Sequence, residues 1–387
     1  MLPRAAAAVL RRRARHAPVL VLTGPRQSGK TTLARAVFAR KPYATLEDLD
    51  TREFAERDPR AFLAQFRGGA IFDEAQRAPA LFSYLQSAVD SDRTPGRFVL
   101  TGSQQFGLLS GISQSLAGRA ALVHLLPFGL AELDAAHHPR SLEDLLWRGL
   151  YPSVIAQRAP PQSWYPDYAA TYLERDVRQL VNVRDLAQFR RFVRMCAART
   201  GQLLNLSSLA ADCGVTHNTA RAWISVLEAS YLVHLLPPYH RNFGKRLVKA
   251  PKLYFIDTGL AASLMGIRDA KDLEIHSARG ALFESWAVAE MLKRRFNAGL
   301  PADLYFWRDS SGLEADLVVE RAGKLHALEI KSGTTIATDW IAMLGRIAKV
   351  TGASTTLLYG GTARQARTGV EVFGWREAAH AARHCIG

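Results

Sequence analysis

The stretch Gly24-Pro25-Arg26-Gln27-Ser28-Gly29-Lys30-Thr31 meets the phosphate-loop pattern G-x-x-x-x-G-K-[ST] at every required position. Ahead of it, Val19-Leu20-Val21-Leu22 is short and wholly apolar, as a parallel strand buried on both faces requires. Behind it, Thr32-Leu33-Ala34-Arg35-Ala36-Val37-Phe38 spaces its apolar residues along one helix face, with no proline before Pro42. Strand, glycine loop and helix together make an anion site. The glycines let successive backbone N–H groups converge on phosphates, and the helix N-terminus adds partial positive charge. Gly24, Pro25, Arg26, Gln27, Ser28, Gly29, Lys30, Thr31 and Thr32 are therefore the expected nucleotide-binding residues. Lys30 is expected to reach the β- and γ-phosphates of ATP, and the Thr31 hydroxyl to ligate Mg²⁺.

The segments that follow read as the rest of the same sheet. Tyr43-Ala44-Thr45-Leu46 is a short strand, and Thr51–Phe66 a helix broken at Pro59. Gly68-Gly69 then introduces Ala70-Ile71-Phe72-Asp73-Glu74, a carboxylate pair at the end of an apolar strand. There Asp73 is expected to hold the Mg²⁺ shell and Glu74 to polarise the attacking water. Arg97-Phe98-Val99-Leu100-Thr101-Gly102-Ser103 is the next strand, and Ser103 or Thr101 suits a role in sensing the γ-phosphate or orienting water. Ser115-Leu116-Ala117-Gly118-Arg119 precedes a last strand, Ala121–Leu126, stopped by Pro127. Arg119 is expected near the nucleotide edge, in cis or as an arginine finger for a neighbour, a surface salt bridge being the alternative. Five apolar strands with helical crossovers imply an α/β fold: a P-loop parallel sheet with both faces covered and its ligand at the strands' C-terminal ends.

The P-loop, the Phe-Asp-Glu-Ala-Gln box at 72–76, the Leu-Thr-Gly-Ser-Gln box at 100–104 and the Leu-Ala-Gly-Arg box at 116–119 resemble the AAA-type bacterial and archaeal ATPases that carry a DUF4143 C-terminal region. The resemblance spans nearly the whole chain. It implies an ATP-binding core of the additional-strand class, related to AAA+ and to the signalling ATPases.

At 387 residues the chain exceeds what one core usually supports, so two to four domains are expected. Its 50 Lys+Arg against 35 Asp+Glu give a net charge of +15, which favours polyanionic partners, nucleic acid first and an acidic membrane surface second. An arginine-rich surface without such a partner is the plainer alternative. Cys196, Cys213 and Cys385 are far apart and lack metal-site spacing, which suits a reducing cytoplasm. The arginines Arg11, Arg12, Arg13 and Arg15 follow the apolar run Ala5–Leu10, whereas a signal peptide places its cations first. No segment approaches about 18 uninterrupted apolar residues, so no membrane span is expected. Residues 1–16 read as a basic helix whose arginines either touch nucleic acid or are solvated.

Residues 128–200 are helical by pattern, interrupted at Trp147-Arg148-Gly149-Leu150-Tyr151-Pro152. The pattern resumes over Tyr165–Val177, with Tyr168, Tyr172 and Val177 on one face, as a helical lid would. Tyr172-Leu173-Glu174-Arg175-Asp176 resembles a recurrent box of the family. Leu206-Ser207-Ser208-Leu209-Ala210 starts a helix capped by Ser, Gly214 sits in a turn, and Thr216–Leu227 is a capped second helix, together a helix-turn-helix. Tyr231–Leu236 and Lys252–Asp257 complete a wing whose tip carries Arg241, Lys245, Arg246 and Lys249. His217, Asn218 and Arg221 would face a DNA groove while the wing cations meet phosphate. Protein packing alone is the other reading of such a unit.

Beyond Gly280, an apolar helix carries Glu284, and two strands follow: Ala315–Glu320 and Leu325–Lys331, joined by the loop 321–324. Positions in an antiparallel pair sum to a constant, so 320 opposite 325 places Asp316 opposite Glu329, with Cβ atoms about 4.5–5.5 Å apart. Lys331 points to the same side. Facing carboxylates repel unless a cation lies between them, and Mg²⁺ is the natural candidate. Asp-x(12)-Glu-x-Lys with an upstream Glu284 resembles the PD-(D/E)xK nuclease core, with Ala315 in place of its proline. The resemblance implies that Asp316, Glu329 and Glu284 hold metal and that Lys331 activates water or stabilises developing charge. Neutralisation of the carboxylates by Lys331 and neighbouring arginines is the alternative.

The expected organisation is a P-loop ATPase core over 1–135, a helical lid over 136–200, a winged helix-turn-helix over 201–265 and a C-terminal α/β nuclease-like domain over 266–387. The expected function is that of a Mg²⁺-dependent ATPase, a nucleoside-triphosphate hydrolase acting on or near DNA in the cytoplasm. The alternative is an ATP-gated protein-interaction switch with a non-cleaving nuclease-like scaffold. DNA, a protein partner and oligomerisation all stay open.

Overall fold

The computed structural model describes residues 2–103, 115–173, 185–239, 250–367 and 369–386. Gln104, Glu174, Arg175, Asp176, Val177 and the wing-tip cations Arg241, Lys245, Arg246 and Lys249 lie outside the described residues, as does the side chain of Tyr172.

The first sheet is formed by β1 (Val19–Thr23), β2 (Tyr43–Thr45), β3 (Ile71–Asp73), β4 (Phe98–Gly102) and β5 (Ala120–His124), in the order β2-β3-β4-β1-β5. Every pairing is parallel. Alternation along β1 shows why its whole apolar run is buried. Val19 and Val21 pack with Phe62, Leu81, Phe82 and Leu85, beneath the helices Pro59–Ala64 and Leu81–Ser91. Leu20 and Leu22 face Leu33 and Ala34 of the helix Lys30–Val37, together with Ala6, Val9 and Leu10 of the N-terminal helix Ala6–Arg13. The apolar face of that N-terminal helix is packed, while Arg11 and Arg15 are exposed. Arg12 Nη2 and Arg13 Nη2 donate to the carbonyls of Ala298 (2.8 Å) and Gly299 (2.8 Å), satisfying the open C-terminal end of the long helix Arg279–Ala298.

In the middle of the chain, the helices Leu186–Ala198, Leu206–Cys213 and His217–Ala229 pack with a small sheet of β6 (Gln202–Leu203), β7 (Val233–Leu236) and β8 (Lys252–Phe255), ordered β6-β8-β7. The cap of the helix Leu206–Cys213 is Asn205, not a serine: its side chain accepts from Ser208 N at 3.0 Å, and it stands two residues ahead of Ser207. Gly214 takes the left-handed conformation that ends this helix, and Thr216 caps the next one. The helix Leu186–Ala198, which falls on the lid side of the expected 200/201 boundary, stacks Phe189 and Phe192 edge-on against Trp223. It thus belongs physically with the helices that follow it.

The C-terminal sheet contains β9 (Tyr305–Arg308), β10 (Glu314–Arg321), β11 (Lys324–Lys331), β12 (Ser354–Tyr359), β13 (Gln365–Arg367) and β14 (Val370–Gly374), ordered β13-β14-β12-β11-β10-β9. The β10–β11 register pairs Glu320 with Leu325 and Leu317 with Leu328, the expected constant sum. The connection is two residues shorter than the four-residue loop expected, because Arg321 and Lys324 also pair. Ala322 (φ 49°) and Gly323 (φ 75°) make the tight turn, whose twist matches that of the strands. The helix Thr338–Thr351 covers one face of this sheet. The other face joins a core that runs from Leu126 through the middle region to Ile386, including Phe283 and Trp286 of the helix Arg279–Ala298. The expected 265/266 boundary is therefore crossed by one continuous core. Among the described residues, no helix is long and apolar enough to cross a membrane.

Candidate functional site

At the C-terminal edge of the first sheet, the loop between β1 and the helix Lys30–Val37 adopts glycine-dependent geometry. A Cβ on Gly24 would lie 2.0 Å from the Leu125 carbonyl oxygen, so no other residue fits there. Gly29 (φ 91°) precedes the helix and supplies no side-chain cap, which leaves the helix N-terminus available to an anion. Lys30 is buried, and its Nζ donates to the carbonyls of Gly24 (3.0 Å) and Pro25 (2.8 Å), which holds the ammonium inside the loop. Ser28 Oγ is buried without a hydrogen-bond partner among the described residues. An orphaned hydroxyl in a cradle of this shape fits a phosphate-bearing ligand.

The neighbouring strands bring the acidic pair to the same edge. Asp73 ends β3 and is buried, and it gathers hydroxyls from three elements. Thr31 Oγ1 donates to its two oxygens at 2.9 and 3.0 Å, Tyr43 OH donates at 2.9 Å, and Thr101 Oγ1 donates as well. Burial, followed by the charge of Asp73, pushes the Tyr43 phenol up to about 12, so it remains a donor. Glu74, the next residue, is held in the left-handed conformation (φ 53°) and accepts from Ser103 Oγ at 3.1 Å and from Gln76 Nε2. The all-oxygen pair Thr31–Asp73 matches the donors a hard cation such as Mg²⁺ takes. Thr101 and Ser103 thus divide their tasks: Thr101 serves Asp73, and Ser103 serves Glu74.

Arg119 is not brought to this edge. It precedes β5, whose first residue Ala120 pairs with Val19 at the start of β1, and its carbonyl accepts from Val19 N at 3.2 Å. Five residues of parallel strand, about 17 Å, separate that level from the P-loop. Its guanidinium instead makes a bidentate surface pair with Asp90, at 2.7 and 2.9 Å. The expectation of a nucleotide-edge arginine within one chain is corrected accordingly: in a parallel sheet, a residue ahead of a strand stands at the end opposite the ligand.

Two residues without a sequence signal join the site. Arg4, deeply buried, donates to Ser28 O (2.7 Å) and Leu126 O (2.6 Å) and pairs with Glu132 (3.2 Å). It ties the back of the P-loop to the N-terminal segment. Tyr43 is the other, visible in the sequence only as a strand residue.

The C-terminal carboxylates also come together, with additional partners. Asp316 Oδ2 accepts from Ile330 N at 2.9 Å, and Lys331 Nζ bonds Glu329. Glu284 accepts from Tyr254 OH at 2.5 Å and from Lys252 Nζ at 3.1 Å. Lys252 also lies 2.5 Å from Glu314 and 3.7 Å from Asp316. Burial, then the charge of Asp316, raises both Glu284 and Glu329 above the ordinary carboxylate range. For Lys252, burial opposes the charge, but Glu284, Asp316 and Glu314 more than offset it and the ammonium pKa is raised. Among the described residues, no group of three or more His, Cys, Asp or Glu side chains is arranged to hold a metal ion. Neutralisation comes from lysine, chiefly from Lys252, which the sequence reading did not place here.

A parallel α/β sheet whose C-terminal edge carries a glycine loop, a buried lysine and an Asp-Glu pair defines a P-loop ATPase-like core of the AAA type. Residues 16–133 match an AAA domain, residues 139–271 a domain of unknown function (DUF8612) and residues 279–377 a domain of unknown function (DUF4143). The Mycobacterium tuberculosis protein Rv2008c and the Mycobacterium bovis protein Mb2031c are each 39% identical over 340 residues, spanning 86% of this chain and 74% of theirs. The chain belongs to their family, and it carries the AAA domain and the DUF4143 region itself. Among solved structures, the Walker-type ATPase PABY2304 of Pyrococcus abyssi is 17% identical, with TM-score 0.46, covering 68% of this chain and 96% of that one. AMPPCP-bound DnaA of Aquifex aeolicus is 15% identical, with TM-score 0.30, covering 58% of this chain and 85% of that one.

Proposed function

We propose that the protein is a Mg²⁺-dependent ATPase that couples nucleotide turnover to contact with DNA. The observation that carries the catalytic part is the meeting of the P-loop, Asp73 and Glu74 at one sheet edge. In this reading residues 24–32 cradle the triphosphate and Lys30 exchanges its bonds to the Gly24 and Pro25 carbonyls for the β- and γ-phosphates. Thr31 and Asp73 would hold Mg²⁺, which when bound supplies charge neutralisation to the phosphates. Glu74, oriented by Ser103, receives a proton from the attacking water. Arg119 has no part in this within one chain. If Lys30→Ala leaves ATP binding and turnover intact, the assignment fails.

The DNA part rests on the three-helix, three-strand middle unit, which has the element order of a winged helix, and on the net charge of +15. Asn218 and Arg221 are exposed on the helix His217–Ala229, with His217 half-buried beside them. Binding to duplex DNA should weaken steeply with salt, and Arg221→Ala should weaken it further. Indifference to duplex DNA at low salt would instead favour an ATP-gated protein switch. That second reading draws on two contacts between the middle region and the nucleotide core: Ser153 Oγ with Gln27 (3.3 Å) and Tyr231 OH with His124 Nδ1 (2.7 Å). The nuclease reading of Glu284, Asp316, Glu329 and Lys331 would require Mg²⁺-dependent strand cleavage that Asp316→Ala and Glu329→Ala abolish. The lysines among these carboxylates favour a non-cleaving scaffold. The three buried, unpaired cysteines accord with a reducing cytoplasm.

A further inference from the structure

Four carboxylates converge at one end of the C-terminal sheet: Glu284 from the helix Arg279–Ala298, Glu314 and Asp316 from β10, and Glu329 from β11. Two ammonium groups face them. Lys331 belongs to the same sheet, but Lys252 comes from β8 in the middle region, a strand hydrogen-bonded to β6 and β7. The Lys252 side chain is 6% exposed, and its Nζ stands 3.1 Å from Glu284 Oε1, 2.5 Å from Glu314 Oε1 and 3.7 Å from Asp316 Oδ1. The Phe306 ring lies 5.6 Å away and closes another side.

Three carboxylate oxygens from two elements surround one buried ammonium, so a divalent ion could enter only by displacing it. A Mg²⁺ ion takes oxygens at about 2.0–2.1 Å, and the ammonium already sits within hydrogen-bond reach of two of the same oxygens. With Lys331 on Glu329 and Lys252 among the other three, four carboxylates face two ammonium groups.

We infer that the Lys252 ammonium is the resident cation of this site, held by Glu284, Glu314 and Asp316 in the place a divalent metal would take, so that the C-terminal sheet is an internal receptor that docks the chain's own middle region. This goes beyond the scaffold alternative by naming what the scaffold holds, and it is independent of the nucleotide site. Residues of the nuclease pattern thereby become the joint between β8 and the C-terminal sheet. Aromatic neighbours reinforce it, since Tyr254, two residues along β8, donates to the same Glu284 oxygen.

The test uses the full nucleotide-free chain and Mn²⁺, counted by electron paramagnetic resonance. In the natural protein, Mn²⁺ uptake is expected to be unaffected by Asp316→Asn. Lys252→Met is expected to gain one bound Mn²⁺ per chain, and adding Asp316→Asn to that variant to remove it. Natural protein that binds Mn²⁺ in an Asp316-dependent manner overturns the inference, as does a folded Lys252→Met that gains none. If Lys252→Met does not fold, acylation of the natural protein read by mass spectrometry decides. Lys252 is expected to stay protected relative to exposed Lys271 both with and without millimolar Mg²⁺. Labelling of Lys252 as fast as Lys271, or labelling accelerated by Mg²⁺, overturns it.

Discussion

Arg4 offers a quantitative test of how the P-loop is supported from behind. Arg4→Met keeps an unbranched apolar stem but removes the guanidinium, which lies over the Phe128 ring, and with it the charge from a pair whose side chains are only 6% and 5% exposed. Breaking one side of a buried pair costs about 3–5 kcal/mol, because the remaining charge is left without its partner. Glu132 keeps two backbone donors, Ala5 N at 2.7 Å and Gly129 N at 2.8 Å, so the lower end, about 3 kcal/mol, applies. At about 2 °C per kcal/mol for a protein of this size, the apparent Tm should fall by about 6 °C. The Ser28 carbonyl also loses its donor, so the KM for ATP should rise several-fold while kcat changes less. Urea and thermal unfolding of Arg4→Met, and of Arg4→Met combined with Glu132→Gln, measure the coupling. The second change removes the stranded charge and should recover part of the loss. A loss under about 1 kcal/mol, or a double variant weaker than the sum of both changes, would refute the reasoning.

Glu74→Gln keeps the bond from Ser103 but cannot accept a proton, so ATP turnover should drop by about 10²–10⁴ while equilibrium nucleotide binding persists; loss of binding instead would assign Glu74 a structural role. Gly24→Ala drives a Cβ into the Leu125 carbonyl, and nucleotide binding measured by calorimetry should vanish; unchanged binding would mean that the loop can move aside. His124 and His234 are both lowered to about 4 by burial, with Arg13 adding to the effect at His124. Because the unfolded chain takes up these protons near pH 6.5 and the folded chain does not, stability is fully present above that pH and declines as pH falls toward 4. By pH 5 the decline should reach about 2 kcal/mol per histidine, and His124→Gln should flatten the pH dependence of the urea midpoint; an unaltered slope would remove His124 as its source.

Local pattern carried much of the fold. The apolar run of β1 and the alternation of its two faces, the αL glycine after Cys213 and the Thr216 cap all follow from periodicity and turn chemistry within about ten residues. So does the β10–β11 register, since any hairpin loop that keeps the sum of paired positions leaves Asp316 facing Glu329. Asn205 replaced the expected serine because cap identity depends on a single backbone dihedral at the helix start, which neighbouring polar residues do not distinguish.

What the chain order determined was every arrangement that one strand, one turn or one helix can make alone: the phosphate loop, the carboxylate pair behind it, and the facing acids of the last hairpin. What the tertiary structure decided was which distant groups meet them. Arg119 went to the far end of the sheet because parallel strands share one direction, and Arg4 reached Ser28 only because the N-terminal helix packs beneath β1 and β5. Lys252 came to Glu284 and Asp316 across a shared core, from 32 and 64 positions away in the chain. Spacing along a polypeptide constrains neighbours through bond geometry; partners this far apart are chosen by burial and charge balance, which exist only once the elements have packed.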